Sequence, residues 1–356
     1  MKKHNFNAGP AILPASVIAQ ASEAAADFNG SGMSILEISH RSPDFVPLLD
    51  EATHLVKELI GLSDEYEVLF LTGGASSQFF MTAMNLLPSN GKAAYVDTGS
   101  WSAKAIKEAK RFGEISVVAS SKETNYNFIP KDYSVPTDSA YLHITTNNTI
   151  FGTQYKKLPD TSVPLVADMS SDIMSKPIDY KRFSVIYAGA QKNLGPAGTT
   201  LVIVKKDALG HTGRDLPSMV NYQTHIDNQS SFNTPPVFPI YVTLLTLRWI
   251  KALGGLQKMN QHNEMKAGKL YDALDANPLF VGTAAKEDRS DMNVTFLLQD
   301  ESLQKDFLEI CKAANIEGIK GHRSVGGFRA SIYNALPMES IEHLIEVMND
   351  FATKKG

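Results

Sequence analysis

Seven short apolar runs between residues 67 and 206 constrain this chain more than any other feature. They are "EVLFLTGG" (67–74), "AAYVDTG" (93–99), "ISVVAS" (115–120), "AYLHITT" (140–146), "PLVADMS" (164–170), "FSVIYAGA" (183–190) and "TTLVIVKK" (199–206). Several are continuously apolar rather than alternating, which is how a strand reads when both of its faces are covered. Helix-like segments such as "QFFMTAMNLL" (78–87) and "WSAKAIKEAKRFG" (101–113) separate some of them. This order predicts an α/β fold whose large unit is a mainly parallel sheet flanked by helices.

Beyond about residue 238 the pattern changes. "PIYVTLLTLRWIKALGG" (239–255) has helical spacing and stops at Gly254 and Gly255, a C-cap signal. A second long helical pattern, then "MNVTFLLQD", a further helix, "FRASIYNALP" and a terminal helix follow. We therefore expect a large unit over 14–255 and a smaller C-terminal α+β unit over 256–356, with segment 1–13 packing near the smaller one. The 356 residues, 43% of them hydrophobic, are ample for such cores. A formal net charge of -4 gives no global attraction to nucleic acid or an anionic membrane. The single cysteine, Cys311, excludes an intrachain disulfide and a cysteine-based metal cluster, and "LEICKAAN" reads as a helix face burying that thiol. "MKKHNFNAGP" has no apolar run behind its lysines, and no stretch approaches the roughly 18 apolar residues of a membrane span. A soluble, cytoplasmic protein is the expectation.

Open α/β sheets gather ligands at the carboxyl ends of their strands. After "EVLFL" come Thr72, Gly73, Gly74, Ala75, Ser76 and Ser77, then a helix. Small residues at a helix start expose backbone N–H groups to an anion, although a tight turn alone would look the same, and the Walker A order is missing. After "AAYVDTG" stands Trp101, either core packing or a face for a flat ring. Asp168 follows "PLVA", where a carboxylate is either solvated in a turn or met by a cation. Lys192 stands in "YAGAQKNLGPAG", just past another strand end, with no acid in the run. A buried amine loses its proton more easily and becomes nucleophilic. A phosphate cup, a flat aromatic, a carboxylate and such a lysine together suit pyridoxal phosphate.

"NFNAGPAILP", "ISHRSPDF", "FLTGGASSQFFMTAMNLL", "YAGAQKNLGPAG", "SFNTPP" and "KGHRSVGGFRASIYNA" resemble the phosphoserine aminotransferases, fold-type I pyridoxal phosphate enzymes, over essentially the whole chain. The resemblance implies one pyridoxal 5'-phosphate per subunit, in Schiff base linkage to Lys192. Asp168 would partner the pyridine nitrogen, Trp101 would stack on the ring, and Thr149 would bond its oxygen. Ala75, Ser76 and Gln191 would hold the phosphate, with Asn233 and Thr234 donated by the other subunit of a homodimer. Arg329 would bind the substrate α-carboxylate, and His40, Arg41, His322 and Arg323 the distal anionic group. The implied reaction moves the amino group of L-glutamate to 3-phosphohydroxypyruvate, in serine synthesis, with a related step of vitamin B6 synthesis possible in the family. Neither nucleic acid nor a membrane is an expected partner, and no metal site is expected.

Two positions depart from some family members: Ser76 stands where they carry arginine, and Ala8 where they carry serine. The first shifts charge balance onto backbone amides, Arg41, His322 and Arg323; no role is carried onto Ala8. Two class V rivals fit less well. A cysteine desulfurase needs a mobile active-site cysteine, and Cys311 lies in a helical pattern away from these motifs. An alanine–glyoxylate aminotransferase has no use for so many cations. A nucleotide-binding module built on Gly73 and Gly74 leaves Asp168 and Trp101 unexplained.

Overall fold

A computed structural model describes residues 3–355; Met1, Lys2 and Gly356, the extreme ends of the two expected units, lie outside the described residues. All seven apolar runs fall on the strands of one seven-stranded sheet. From edge to edge its order is Tyr66–Leu71, Thr200–Lys205, Phe183–Gly189, Leu165–Asp168, Ser139–Thr145, Lys92–Asp97 and Glu114–Ser120. Only Thr200–Lys205 runs against its neighbours; the other pairings are parallel.

The continuity of the runs has a direct cause. Successive side chains of a strand point to opposite faces, and both faces are covered on every strand but the edge strand Glu114–Ser120, which has no fully buried residue. Val68, Phe70, Val96, Ile144, Ala167 and Ile186 face a core completed by helices Ala15–Ala26, Val46–Ile60 and Val237–Ala252. Leu69, Leu71, Tyr95, Val166, Val185 and Tyr187 face a second core, against Phe79 and Met81 of helix Gly74–Leu86 and Ile106 of helix Ser100–Ala109. No single helix among the described residues is long and apolar enough to cross a membrane. The most apolar, Val237–Ala252, spends its hydrophobic side chains on the first core.

The last third forms a three-stranded sheet of Phe280–Gly282, Asn293–Leu298 and Phe328–Ser331, all antiparallel, covered by helices Gln304–Ala313 and Met338–Lys355. His4 and Asn5 pair in parallel with Ile316 and Glu317, and Phe6 is fully buried in this third core. Helix Gly255–Ala276 joins the units: Leu256 and Met259 pack in the first core, Ala267, Leu270 and Leu274 in the third. Cys311 is buried on helix Gln304–Ala313, and burial pushes its thiol up to about 12, so it is inert at ordinary pH.

Candidate active site

Six strands of the large sheet run in one direction, and the ends of five of them lead to Ala75 and Ser76, Trp101, Thr149, Asp168 and Lys192. The turn bearing Lys192 is made of small residues because it lies against a helix. A Cβ on Gly195 would fall 2.7 Å from Thr243 Oγ1, and one on Gly198 would fall 3.2 Å from Pro239. Leu194 and Gly195 both donate to the Ala190 carbonyl, closing the turn around the lysine. On its other side runs the N-terminal segment: Ala11 donates to the Gln191 carbonyl at 2.9 Å, and a Cβ on Gly9 would be 3.3 Å from Lys192 Cγ.

Lys192 Nζ donates to Thr149 Oγ1 at 2.7 Å and stands 5.6 Å from the Trp101 ring centroid. Burial pulls its pKa down to about 8; Arg329 pulls the same way, while Asp168 and Asp172 oppose. About a tenth of such an amine is neutral at pH 7, where an ordinary lysine is almost wholly charged. Asp168 is buried, with Oδ1 accepting from the Ser170 amide at 2.9 Å. Burial raises its pKa, against the pull of Ser170 and Lys192. Behind it, Asp172 is buried too and accepts from Thr146 Oγ1 at 2.5 Å and Gln154 Nε2 at 3.2 Å.

Trp101 sits in the first turn of helix Ser100–Ala109. Ser102 Oγ organises that start, accepting from the amides of Thr98 and Gly99 at 2.9 Å each and turning its own hydrogen to Asp97 or the Gly99 carbonyl. Helix Gly74–Leu86 begins from Gly73 at φ 92° with no side-chain cap, so its first amides, including those of Ala75 and Ser76, await an acceptor. Any Cβ on Gly73 would collide with Ser77 Oγ at 2.0 Å. The Gln191 amide folds back over Gly189, whose Cβ would lie 2.5 Å from Oε1.

Arg329, on strand Phe328–Ser331, reaches the same place from the small unit. Its Nη1 makes one long bond, 3.4 Å, to the Thr149 carbonyl, and its Nε is buried without a partner. Trp101 Nε1 is also buried and unpartnered. His322 stands nearby: burial, then the charges of Arg329, Arg323 and Lys104, lower its pKa. Arg323 is exposed beside it.

Lys192, Thr149, Trp101, Asp168, Arg329 and His322 are thus brought together. No hydrogen bond or ion pair among the described residues joins His40, Arg41, Asn233 or Thr234 to that group. His40 Nε2 is buried and unpartnered, Arg41 is exposed, and exposed Asn233 and Thr234 share a cleft with Thr72. Sequence reasoning missed three contributors. Lys104 Nζ lies 4.3 Å from the Trp101 centroid, a neighbour that i,i+3 spacing on a helix makes legible. Tyr333 donates to the Ala8 carbonyl at 2.8 Å, and Asn193 accepts from the Asn334 amide at 3.0 Å. These two cross between distant parts of the chain, and no local pattern signals them.

An unpartnered guanidinium nitrogen, uncapped amides, a desolvated carboxylate and an amine with lowered pKa fit a flat, phosphorylated aldehyde and an anionic substrate. The class V aminotransferase family model matches residues 3–344. A phosphoserine aminotransferase of Flavobacterium psychrophilum is 58% identical over 99% of this chain and 100% of its own. The structure of phosphoserine aminotransferase from Bacillus circulans subsp. alkalophilus superposes with a TM-score of 0.97 at 47% identity, covering 100% of this chain and 99% of that one. The pyridoxal-phosphate-bound phosphoserine aminotransferase of Trichomonas vaginalis superposes with a TM-score of 0.93 at 35% identity, over 98% and 100%. The chain belongs to the class V aminotransferases and is a pyridoxal-phosphate-dependent enzyme. Within that class it is a member of the phosphoserine aminotransferase family.

Proposed function

We propose that the enzyme moves the amino group of L-glutamate to 3-phosphohydroxypyruvate, giving O-phospho-L-serine and 2-oxoglutarate. The observation that carries this reading is Lys192, with its lowered pKa, standing beside buried Asp168 and within electrostatic reach of an under-bonded Arg329. Pyridoxal phosphate, when bound, supplies an aldehyde that captures amines and an electron sink for the carbanion left at the substrate Cα. The protein supplies the rest. Lys192 would anchor the cofactor, and its Nζ would carry the proton between the substrate Cα and the cofactor's carbonyl carbon. Asp168 would hold a proton at the pyridine nitrogen, and Trp101 would cover the ring face. Thr149 Oγ1, now accepting from Lys192, would bond the ring oxygen. The amides of Ala75 and Ser76, the Ser76 hydroxyl and Gln191 would hold the phosphate.

Arg329 binds the α-carboxylate shared by both substrates, since a planar fork with unused donors matches a planar carboxylate. His322 and Arg323 receive the distal carboxylate or phosphate, with His40 and Arg41. We place Asn233 and Thr234 in the partner subunit's site, which makes the working unit a homodimer. Their exposure and their cleft beside Thr72 support this. Diffusible anionic substrates and one inert thiol suit work in the cytoplasm. To test the assignment, enzyme treated with glutamate is freed of it and offered 3-phosphohydroxypyruvate or glyoxylate. Single-turnover conversion of the phosphorylated acid at least about a hundredfold faster supports the reading. Equal use of glyoxylate contradicts it.

A further inference from the structure

Lys266 is the one lysine among the described residues with no exposed surface, and no acid pairs with it. It lies on helix Gly255–Ala276, and its Nζ donates to the carbonyls of Ile332 at 2.9 Å, Tyr333 at 2.6 Å and Asn334 at 3.5 Å. An uncompensated buried ammonium is costly, and apolar packing would be the cheaper solution for a helix face. The three carbonyls belong to the stretch directly after the strand that carries Arg329.

That stretch is tied to the large unit at several points. The Asn334 amide donates to Asn193 Oδ1 at 3.0 Å, one residue from Lys192. Asn193 Nδ2 donates to the Ile173 carbonyl and Asn334 Nδ2 to the Met174 carbonyl, both at 2.9 Å, in the loop that follows Asp168. Asn263, one turn before Lys266, donates to Asn334 Oδ1 at 2.8 Å and to the Ser175 carbonyl at 3.1 Å. Tyr333 hydroxyl reaches the Ala8 carbonyl of the segment that covers Lys192. Lys192, Asp168 and Arg329 come from three separate parts of the chain, and stretch 332–334 touches the neighbourhood of each.

We propose that Lys266 is a positioning residue for this site: by gathering the carbonyls of Ile332, Tyr333 and Asn334 it clamps the turn that carries Lys192 and the strand that carries Arg329 in fixed register. The proposal rests on the roles given above to those two residues. Loss of the clamp lets Arg329 and Lys192 drift, and displacement of even about 1 Å at a distance from the chemistry is costly. Burial lowers the Lys266 pKa to about 7, which is consistent with an amine held by geometry rather than by a counter-charge. His262, one turn earlier on the same helix, has its own pKa lowered by burial and by the Lys266 charge.

The test compares wild type, Lys266→Met and Asn193→Ala. Three readouts are taken: amide exchange at 332–334 in protein without cofactor, steady-state kinetics with glutamate, and the pH midpoint of the visible band after reconstitution with pyridoxal phosphate. With the clamp lost, exchange speeds up about tenfold, the glutamate KM rises about tenfold while kcat falls less, and the midpoint moves. A folded Lys266→Met protein that only melts earlier, with KM and midpoint unmoved, overturns the proposal. Should Lys266→Met fail to fold, Asn193→Ala decides by the same two quantities. A wild-type protein that takes no cofactor refutes the proposed function instead, and exchange at 332–334 in Lys266→Met still decides for or against the clamp.

Discussion

At Lys192 the competition between burial and Asp168 leaves the amine at about 8, against 10.5 for an ordinary lysine. Between those values the unfolded chain carries a proton that the folded chain has released. Stability of the cofactor-free protein therefore rises with pH across that window by this group's contribution. Lys192→Met is expected to remove that part of the slope in urea titrations at pH 7.5 and 10, leaving the parts due to other buried amines such as Lys266 and Lys176, and to abolish turnover. Arg329 belongs to the same scale. One point charge in Arg329→Lys replaces a fork, so KM for both substrates should rise roughly ten- to a hundredfold. The visible band of the bound cofactor should stay as in wild type. Loss of the cofactor with normal substrate capture would reassign Arg329. That Lys192, Asp168 and Trp101 stand in one place was legible in the sequence because each lies at or just past a strand end and each residue type is awkward there without a ligand. Lys266 was not, since "NEMKAGKLY" reads as an ordinary helix in which any lysine finds solvent.

Two elements bear the local geometry, and each has its own test. Helix Gly74–Leu86 starts from Gly73 in the left-handed region, against Ser77 Oγ. Gly73→Ala must both strain the backbone and push that serine aside, so the helix start loses its aim. Cofactor affinity, read by equilibrium dialysis, should fall at least about tenfold, and an unchanged affinity would place the phosphate elsewhere. Helix Ser100–Ala109 depends on Ser102, which satisfies two buried amides. Ser102→Ala should lower folding stability by about 1–3 kcal/mol, by the usual cost of buried donors left unpaired. The inner strands of the large sheet were readable because burial on both faces writes a continuous apolar run, whereas the edge strand Glu114–Ser120, with no fully buried residue, shows only through its β-branched residues. The ladder of His4 and Asn5 with Ile316 and Glu317 was not, since two residues carry no period and the partner lies over 300 positions away.

Over the whole molecule, the site is assembled from an N-terminal cover, five strand ends and a strand of the C-terminal sheet. We place its last phosphate contacts, Asn233 and Thr234, in a second subunit. A mixture of inactive Lys192→Ala dimers with a weakened Asn233→Ala/Thr234→Ala variant tests this by subunit exchange. Each mixed dimer then has one intact site, so activity should return to roughly a quarter of wild type. Failure to recover activity despite proven exchange would mean that each subunit holds its own phosphate alone. How the two units face each other could not be read from the sequence. It is set by single bonds such as Asn193 to Asn334, which join residues 141 positions apart. The central claim, that this strand edge holds pyridoxal phosphate on Lys192 and exchanges amino groups, is tested most directly by visible absorbance. Protein reconstituted with pyridoxal phosphate should show a visible band that is absent in Lys192→Ala and bleaches when glutamate alone is added. A wild-type protein that gains no band, or whose band glutamate leaves untouched, would contradict it.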